Sequence, residues 1–326
     1  MQRREFLQRV GKTSLAAAAV TATAVWLRDQ RSAAEFFREQ EHASTLTLPS
    51  YRVERPAGCT ELVIARGQDP EQLVIAALDA LGGIRSFVGR NDVVLIKPNA
   101  AFDRPPAFGA TTRPEVLHCL ARLCREAGAR RVIVTDNPIN QPAGCFAKSG
   151  LELAATQAGA ELFLPRPSAF AQVQVNGEVL QTWPILYAPL QEATRVIGLA
   201  PCKDHNLCGA SLTMKNWYGL LGGRRNQFHQ QIHQVVADFA AMIRPTLVLL
   251  DATRVLRRNG PTGGSLGDVA VGDTLVAGTD MVAVDAVGCE LLDRQLEAVA
   301  YLGRAEARGL GSTRWRELRW QEVQVG

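Results

Sequence analysis

The sequence predicts an α/β fold: a mostly parallel sheet with helices on both faces, plus a small β-hairpin excursion. Three observations carry that expectation. Short apolar runs of strand length alternate with stretches of helical periodicity along most of the chain. Several of the runs, such as 92–96 and 246–251, are apolar at nearly every position, as strands covered on both faces are. The strand, helix, strand unit over 92–136 has the loop lengths of a right-handed crossover.

Taken in order, 62–65 reads as a strand, followed by a helix over 71–81 that starts after Pro70 and closes at Gly82-Gly83. The strand over 92–96 ends in Lys97-Pro98-Asn99. The loop beyond it runs to Thr112, expected as the N-cap of a helix with Pro114 in its first turn and Gly128 at its end. A strand over 131–136, a helix over 150–159 and a strand over 161–164 continue the alternation. Residues 172–180 alternate apolar and polar about Asn176-Gly177, the signal of a tight hairpin. The strand over 194–199 then delivers 202–208 beyond its carboxyl end. A helix over 232–242, a strand over 246–251, a glycine-rich loop over 259–264, a strand over 274–277, a helix over 281–292 capped by Asp280, and an edge strand over 317–325 complete the chain.

Gln2-Arg3-Arg4-Glu5-Phe6-Leu7 resembles the twin-arginine export signal, and a modest apolar run follows over 15–27, too short for a membrane span. The resemblance implies the twin-arginine translocase as a partner and a periplasmic or otherwise extracytoplasmic location. Ala22-Thr23-Ala24 cuts into the apolar run and is a poor cleavage site, so an uncleaved membrane anchor stays open. The expected organisation is a signal or anchor over 1–27, a polar tether over 28–50 and an α/β domain over 51–326, with any break between two lobes near 165–195.

A net charge of +4 over 326 residues gives no reason to expect nucleic acid as a partner. Seven irregularly spaced cysteines make no disulfide framework. The chain contains no Cys-x-x-Cys, which argues against a ferredoxin-type iron–sulfur cluster. The glycine-rich loop does not sit between a strand and a helix start, as a nucleotide fingerprint requires, and Gly209-Ala210-Ser211-Leu212-Thr213 lacks the last glycine of a nucleophile elbow.

Chemistry concentrates in 200–233, which holds Cys202, Lys203, His205, Cys208, Lys215, Arg224, Arg225, His229 and His233. Imidazole suits proton transfer near neutral pH, and lysine can hold an anion or bond a carbonyl, so His205, Lys215 and His229 are the candidate catalytic residues. Cys202, His205 and Cys208, three apart, could offer ligands to one soft metal ion, with His229 a further candidate; a redox-inert loop or a plain disulfide between the two cysteines is the alternative. Lys97, Asn99, Arg224, Arg225, Asn259, Gly260, Gly263 and Gly264 are the expected anion contacts, with Lys203 beside them. In open α/β sheets ligands bind beyond the carboxyl ends of the strands, where Lys97, Asp136, Cys202 to Cys208 and Asp251 all fall.

Val94-Leu95-Ile96-Lys97-Pro98-Asn99, Thr111-Thr112-Arg113-Pro114-Glu115, Lys203-Asp204-His205, Met214-Lys215-Asn216-Trp217-Tyr218-Gly219 and Arg258 to Gly264 together resemble the family called domain of unknown function 362. The order His205, Lys215, His229 also resembles, more distantly, that of nickel-pincer lactate racemases. That second resemblance implies a nickel cofactor tethered to Lys215, a proton-transfer role for His205 and metal ligation by His229. The resulting expectation is an exported, cofactor- or metal-dependent enzyme acting on a small anionic substrate by proton transfer. An iron–sulfur or metal-linked redox accessory protein and a non-catalytic periplasmic binding module are the alternatives.

Overall fold

A computed structural model describes residues 46–326; the twin-arginine stretch and most of the expected tether lie outside them. The strands, in chain order, are β1 (Leu62–Arg66), β2 (Val93–Lys97), β3 (Arg131–Val134), β4 (Glu161–Leu162), β5 (Phe170–Gln174), β6 (Thr182–Leu186), β7 (Arg195–His205), β8 (Gly209–Ser211), β9 (Leu247–Leu256), β10 (Val269–Gly278) and β11 (Trp320–Gln324). The main sheet has the order β11-β1-β10-β9-β7-β2-β3-β4, with β8 paired to β7 alone. Its run from β9 to β4 is parallel throughout, and β1 pairs parallel with β11. Only β10 and β8 run against their neighbours.

Alternating side chains of each central strand enter two separate cores. Val94 and Ile96 of β2 join the core that also holds Val63, Ala65, Ile197 and Leu199, while Val93 and Leu95 join the other. Each fully buried Val, Leu or Ile contributes roughly 1.5–3 kcal/mol relative to leaving it exposed, so covering both faces of these strands is what holds them in the interior. One face is covered by α1 (Pro70–Ala80), α2 (Pro114–Glu126) and α4 (Leu151–Gln157), which follows the short α3 (Pro142–Lys148). The other carries α7 (Ile232–Met242), α8 (Met281–Leu291) and α9 (Tyr301–Ala307). Two short helices, α5 (Ala188–Glu192) and α6 (Thr213–Asn216), complete the set. Among the described residues no helix is long and apolar enough to cross a membrane.

Asp280 caps α8 as expected, its carboxylate accepting from the N–H groups of Val282 and Ala283. Thr112 does not cap α2. Its hydroxyl is engaged elsewhere, donating to the Leu199 carbonyl and accepting from the Asn99 N–H, which ties the loop after β2 to β7. Residues 46–50 are part of the domain rather than tether: Leu46 pairs with Val173, and Leu46 and Leu48 pack on the core. Nor does a break fall at 165–195, because Val173, Ile185 and Leu186 of the small sheet lie in the same core as α7 and α8.

The hairpin exists, with its second strand later than the alternation suggests. β5 pairs antiparallel with β6, and 178–180 belong to the connection. The cause is Asp238 of α7, a fully buried carboxylate that accepts from the N–H groups of Glu178, Val179 and Leu180 at 2.9, 2.9 and 3.1 Å. Those amides are therefore withdrawn from cross-strand pairing. Gly177 is required there because a Cβ would fall 2.2 Å from Asp238 Cγ.

Candidate active site

The strand β7 does not end at Leu199. It runs on to His205, turns over Asn206 to Cys208 and returns as β8, with Lys203 opposite Ser211 and His205 opposite Gly209. Side chains alternate along a strand, so Lys203 and His205 share the face of Ile197 and Leu199, and Cys202 takes the opposite one. The expected Cys202, His205, Cys208 triad is thereby separated. Cys202 is buried in the core with its thiol directed to the Gly288 carbonyl, and Cys208 is a second buried free thiol directed to the Ala210 carbonyl. Among the described residues no three His, Cys, Asp or Glu side chains gather as a metal ion requires, and the two cysteines form no disulfide.

Lys97, Asn99, Asp136, Lys203, His205, Lys215, Tyr218, Arg225 and His229 line one cavity of about 270 Å³ at the carboxyl ends of β2, β3 and β7. Phe102, Ile139 and Leu207 supply apolar wall. The chain has only five lysines against thirty-one arginines, and three of the five, Lys97, Lys203 and Lys215, stand in this cavity.

The three amines are held differently. Lys97 is fully buried and saturated: its Nζ lies 2.7 Å from Asp136 Oδ1 and donates to the Pro98 carbonyl at 2.7 Å and to Asn216 Oδ1 at 3.0 Å. An ammonium has three protons, so none is left for an anion. Burial pushes the Lys97 pKa down, and the Asp136 carboxylate opposes the shift. Asp136 in turn accepts from the N–H groups of Ala100 and Asn137. Gly219 closes over this pair; a Cβ there would sit 2.1 Å from Asp136 Oδ1 and 2.7 Å from Lys97 Nζ.

Lys203 donates to the Ala110 carbonyl at 2.5 Å and to Asn99 Oδ1 at 3.3 Å, leaving one proton uncommitted, and its Nζ lies 5.1 Å from the centroid of the Phe102 ring. Burial, and then the ammonium groups of Lys215 and Lys97, push its pKa down to about 7. Lys215 has no hydrogen-bond acceptor among the described residues; its Nζ stands over the Tyr218 ring, 4.1 Å from the centroid. Burial first, and then Arg225 and Lys97, push it down to about 8.

His205 does not suit the role of proton acceptor. Its Nδ1 accepts the Leu207 N–H at 3.2 Å, which places the ring proton on Nε2, and burial followed by the Lys215 and Lys203 charges pushes its pKa down to about 3. It is a neutral donor at physiological pH. His229 is exposed at the mouth, its ring stacked 6.5 Å from that of Tyr218, while His233 stacks on Tyr301 and does not line the cavity.

Arg225 reaches the cavity, with its guanidinium donating to the Asn137 and Pro138 carbonyls. Arg224 is exposed and outside it. Asn99 is used internally, accepting from Lys203 and donating to Asn216 Oδ1 at 3.0 Å. The glycine-rich loop offers no anion nest, because its amides are already taken. Gly260 donates to Asp204 Oδ2, Gly263 to the Asn259 carbonyl and Gly264 to Asp268 Oδ2, while Asn259 Nδ2 donates to Asp268 Oδ1. Only Pro261 of that loop touches the cavity.

Asp285 has no counterpart in the sequence expectations. Fully buried on α8, it accepts from the N–H and hydroxyl of Thr213 and the N–H of Met214, capping the helix that carries Lys215 and Asn216. Asn216 then bridges Lys97 and Asn99 through its oxygen and the carbonyls of Lys97 and Leu199 through its nitrogen.

The family described as domain of unknown function (DUF362) matches residues 94–290, a span that takes in β2 through α8 and the named residues of this cavity. The chain is also 24% identical over 251 residues, 72% of its length and 74% of the other's, to the thylakoid-associated protein sll1697 of Synechocystis sp..

Proposed function

The chain belongs to the DUF362 family, and from that premise and the cavity we propose that it is an enzyme acting on a small anionic substrate by proton transfer, with Lys215 as the reacting base. One observation carries the reading: of three amines in the cavity, Lys215 alone has no acceptor, so its lone pair is available in the fraction that is unprotonated. At a pKa of about 8 that fraction is roughly a tenth at pH 7. Four cationic side chains and one carboxylate among the lining residues favour an anion, with the free proton of Lys203 as its first contact. The Nε2–H of His205 is a fixed neutral donor for a developing oxyanion.

Exchange of carbon-bound hydrogen for deuterium in small 2-hydroxy and 2-oxo acids, followed by NMR in D2O, tests the reading. Wild type is expected to catalyse exchange in at least one of these acids, and Lys215→Met to abolish it while the unfolding transition is retained. Exchange that persists in the variant removes Lys215 from the role.

A second reading keeps the tethered nickel cofactor implied by the resemblance to nickel-pincer racemases. What supports it is the same free amine, with His229 beside Tyr218 on the cavity wall. Intact mass and nickel content of the chain from its native host decide between the two. We also propose export by the twin-arginine translocase, on the strength of Arg3-Arg4 and the apolar run that follows. The thylakoid association of the Synechocystis relative adds a membrane-proximal setting to this proposal. Arg3→Lys with Arg4→Lys is expected to retain the protein in the cytoplasm.

A further inference from the structure

We propose that Lys215 forms an imine with the carbonyl of a small 2-oxo acid whose carboxylate is held by Lys203. The inference rests on the anion-binding reading above and goes further by naming the substrate class and the covalent step.

The selection among nucleophiles is structural. Cys208 is buried with its thiol directed to the Ala210 carbonyl and pushed up to about 11 by burial. The Tyr218 hydroxyl is tied to the Arg225 carbonyl and pushed up to about 12 by burial. Ser211 faces Lys203 across β7 and β8, and the imidazole nearest in sequence, His205, has its basic nitrogen occupied. Lys97 is locked in its pair with Asp136. Lys203 is held in place by the Ala110 carbonyl and Asn99 Oδ1, as an anion clamp must be, whereas the Lys215 amine stands against an aromatic face with no acceptor among the described residues.

A chain that uses arginine for thirty-one of its thirty-six cationic positions has placed three of its five lysines here. Arginine holds an anion at least as well as lysine does but cannot lose its proton, so anion binding alone does not account for that choice. Amine chemistry does, and a neighbouring cation is a known way of keeping a lysine nucleophilic.

The step balances without a co-reactant. The Lys215 lone pair attacks the carbonyl carbon, a C–N bond forms, and the carbonyl oxygen takes a proton. The resulting carbinolamine expels that oxygen as water, leaving an iminium. An amine, a ketone and one proton enter; an iminium and water leave, with no oxidation or reduction. The iminium replaces an ammonium over the Tyr218 ring, so the cation–π contact is retained. It withdraws electrons from the adjacent carbon, which is what removal of a proton or loss of CO2 at that carbon requires.

The test is borohydride trapping of the full-length protein with pyruvate near pH 7, read by intact mass and peptide mapping, with pyruvate binding followed by calorimetry in parallel. The few lysines make the map decisive, because Lys148 and Lys12 serve as internal controls. A single reduced adduct on Lys215 is expected, formed roughly two to three hundredfold faster than on a lysine of ordinary pKa, the ratio of their neutral fractions near pH 7. It is expected to be absent in Lys215→Arg, and mapping on wild type alone still decides if that variant fails to fold. Binding of pyruvate without an adduct overturns the imine and leaves the anion pocket standing. Neither binding nor adduct overturns both, and adduct on Lys203, Lys148 or Lys12 in preference to Lys215 also overturns the assignment of the imine to Lys215.

Discussion

Replacing Lys203 by methionine should change the stability of the protein in a pH-dependent way whose sign and window the cavity dictates. Lys203 is 1% exposed, and its pKa falls from 10.5 to about 7 on folding, so no solvent screening offsets the cost of burying its charge. Between pH 7 and 10.5 the unfolded chain holds a proton here that the folded chain has released, and stability therefore rises with pH across that window. Below pH 7 both states are charged and the folded state carries the full penalty, roughly 4 to 5 kcal/mol. Methionine has no charge to bury and loses only the bonds to Ala110 and Asn99, an offset independent of pH. The variant's stability relative to wild type should thus decline by roughly 2 to 3 kcal/mol between pH 7 and 9. Urea unfolding of both proteins at pH 6, 7, 8 and 9 measures it, and the difference cancels other titrating groups, such as Asp285 and the thiols. A gap that stays constant across that range would refute the reasoning, because it would mean that Lys203 titrates alike in the folded and unfolded chain.

Two further outcomes follow from the same geometry. Gly219→Ala should destabilise the protein by roughly 3–5 kcal/mol, read in urea unfolding, since the added carbon falls 2.1 Å from Asp136 Oδ1 and 2.7 Å from Lys97 Nζ and must part a fully buried ion pair. Asp285→Ala strands the amides of Thr213 and Met214 and should destabilise by roughly 1–3 kcal/mol, read as a lowered Tm. Because Asp285 acts on Lys215 only through α6, the rate of borohydride trapping should fall as well, and Asp285→Asn should restore part of it.

The sheet was legible because every central strand is apolar on both faces, and 92–96 or 246–251 can satisfy that only inside an α/β sandwich. Both site lysines, Lys203 and Lys215, were legible as a cluster of cations after a strand. Their division of labour was not. Lys97 and Lys215 look equivalent in the sequence, and only the positions of Asp136, Pro98 and Asn216 decide that one is saturated and the other free. The glycine-rich loop misled for a related reason: its amides read as an anion nest, but Asp204 and Asp268, 56 and 4 residues from the amides they accept, already occupy them. Cys202, His205 and Cys208 failed as a triad because a spacing of three crosses the two-residue period of a strand, which is visible only once β7 is known to continue. Asp285 gave no local signal, although an acid at the centre of a helix whose only other carboxylate is Glu290, near its end, is itself a reason to look for the amides it caps. The ratio of lysine to arginine was available throughout and marks the cavity more directly than any motif.

That ratio also bears on how affinity and reactivity coexist in one small space. Four cationic side chains converge on a single carboxylate, which Lys97 already engages, so the remaining positive charge has no internal counterpart. With arginine at positions 203 and 215 the charge would be permanent and the folded state would bear its desolvation at every pH. Lysine allows the free protein to shed part of it, which is why both amines fall toward neutrality. An anion entering the cavity reverses the balance, because a nearby negative charge favours the protonated form. Binding must then be accompanied by proton uptake, chiefly at Lys203, which is about half neutral near pH 7 while Lys215 is already mostly protonated. The same event that turns Lys203 into an anion clamp adds a like charge near Lys215, which opposes the anion's pull toward full protonation and preserves part of its neutral fraction. Substrate charge and nucleophile activation are in this way one electrostatic equilibrium, shared between two lysines twelve residues apart.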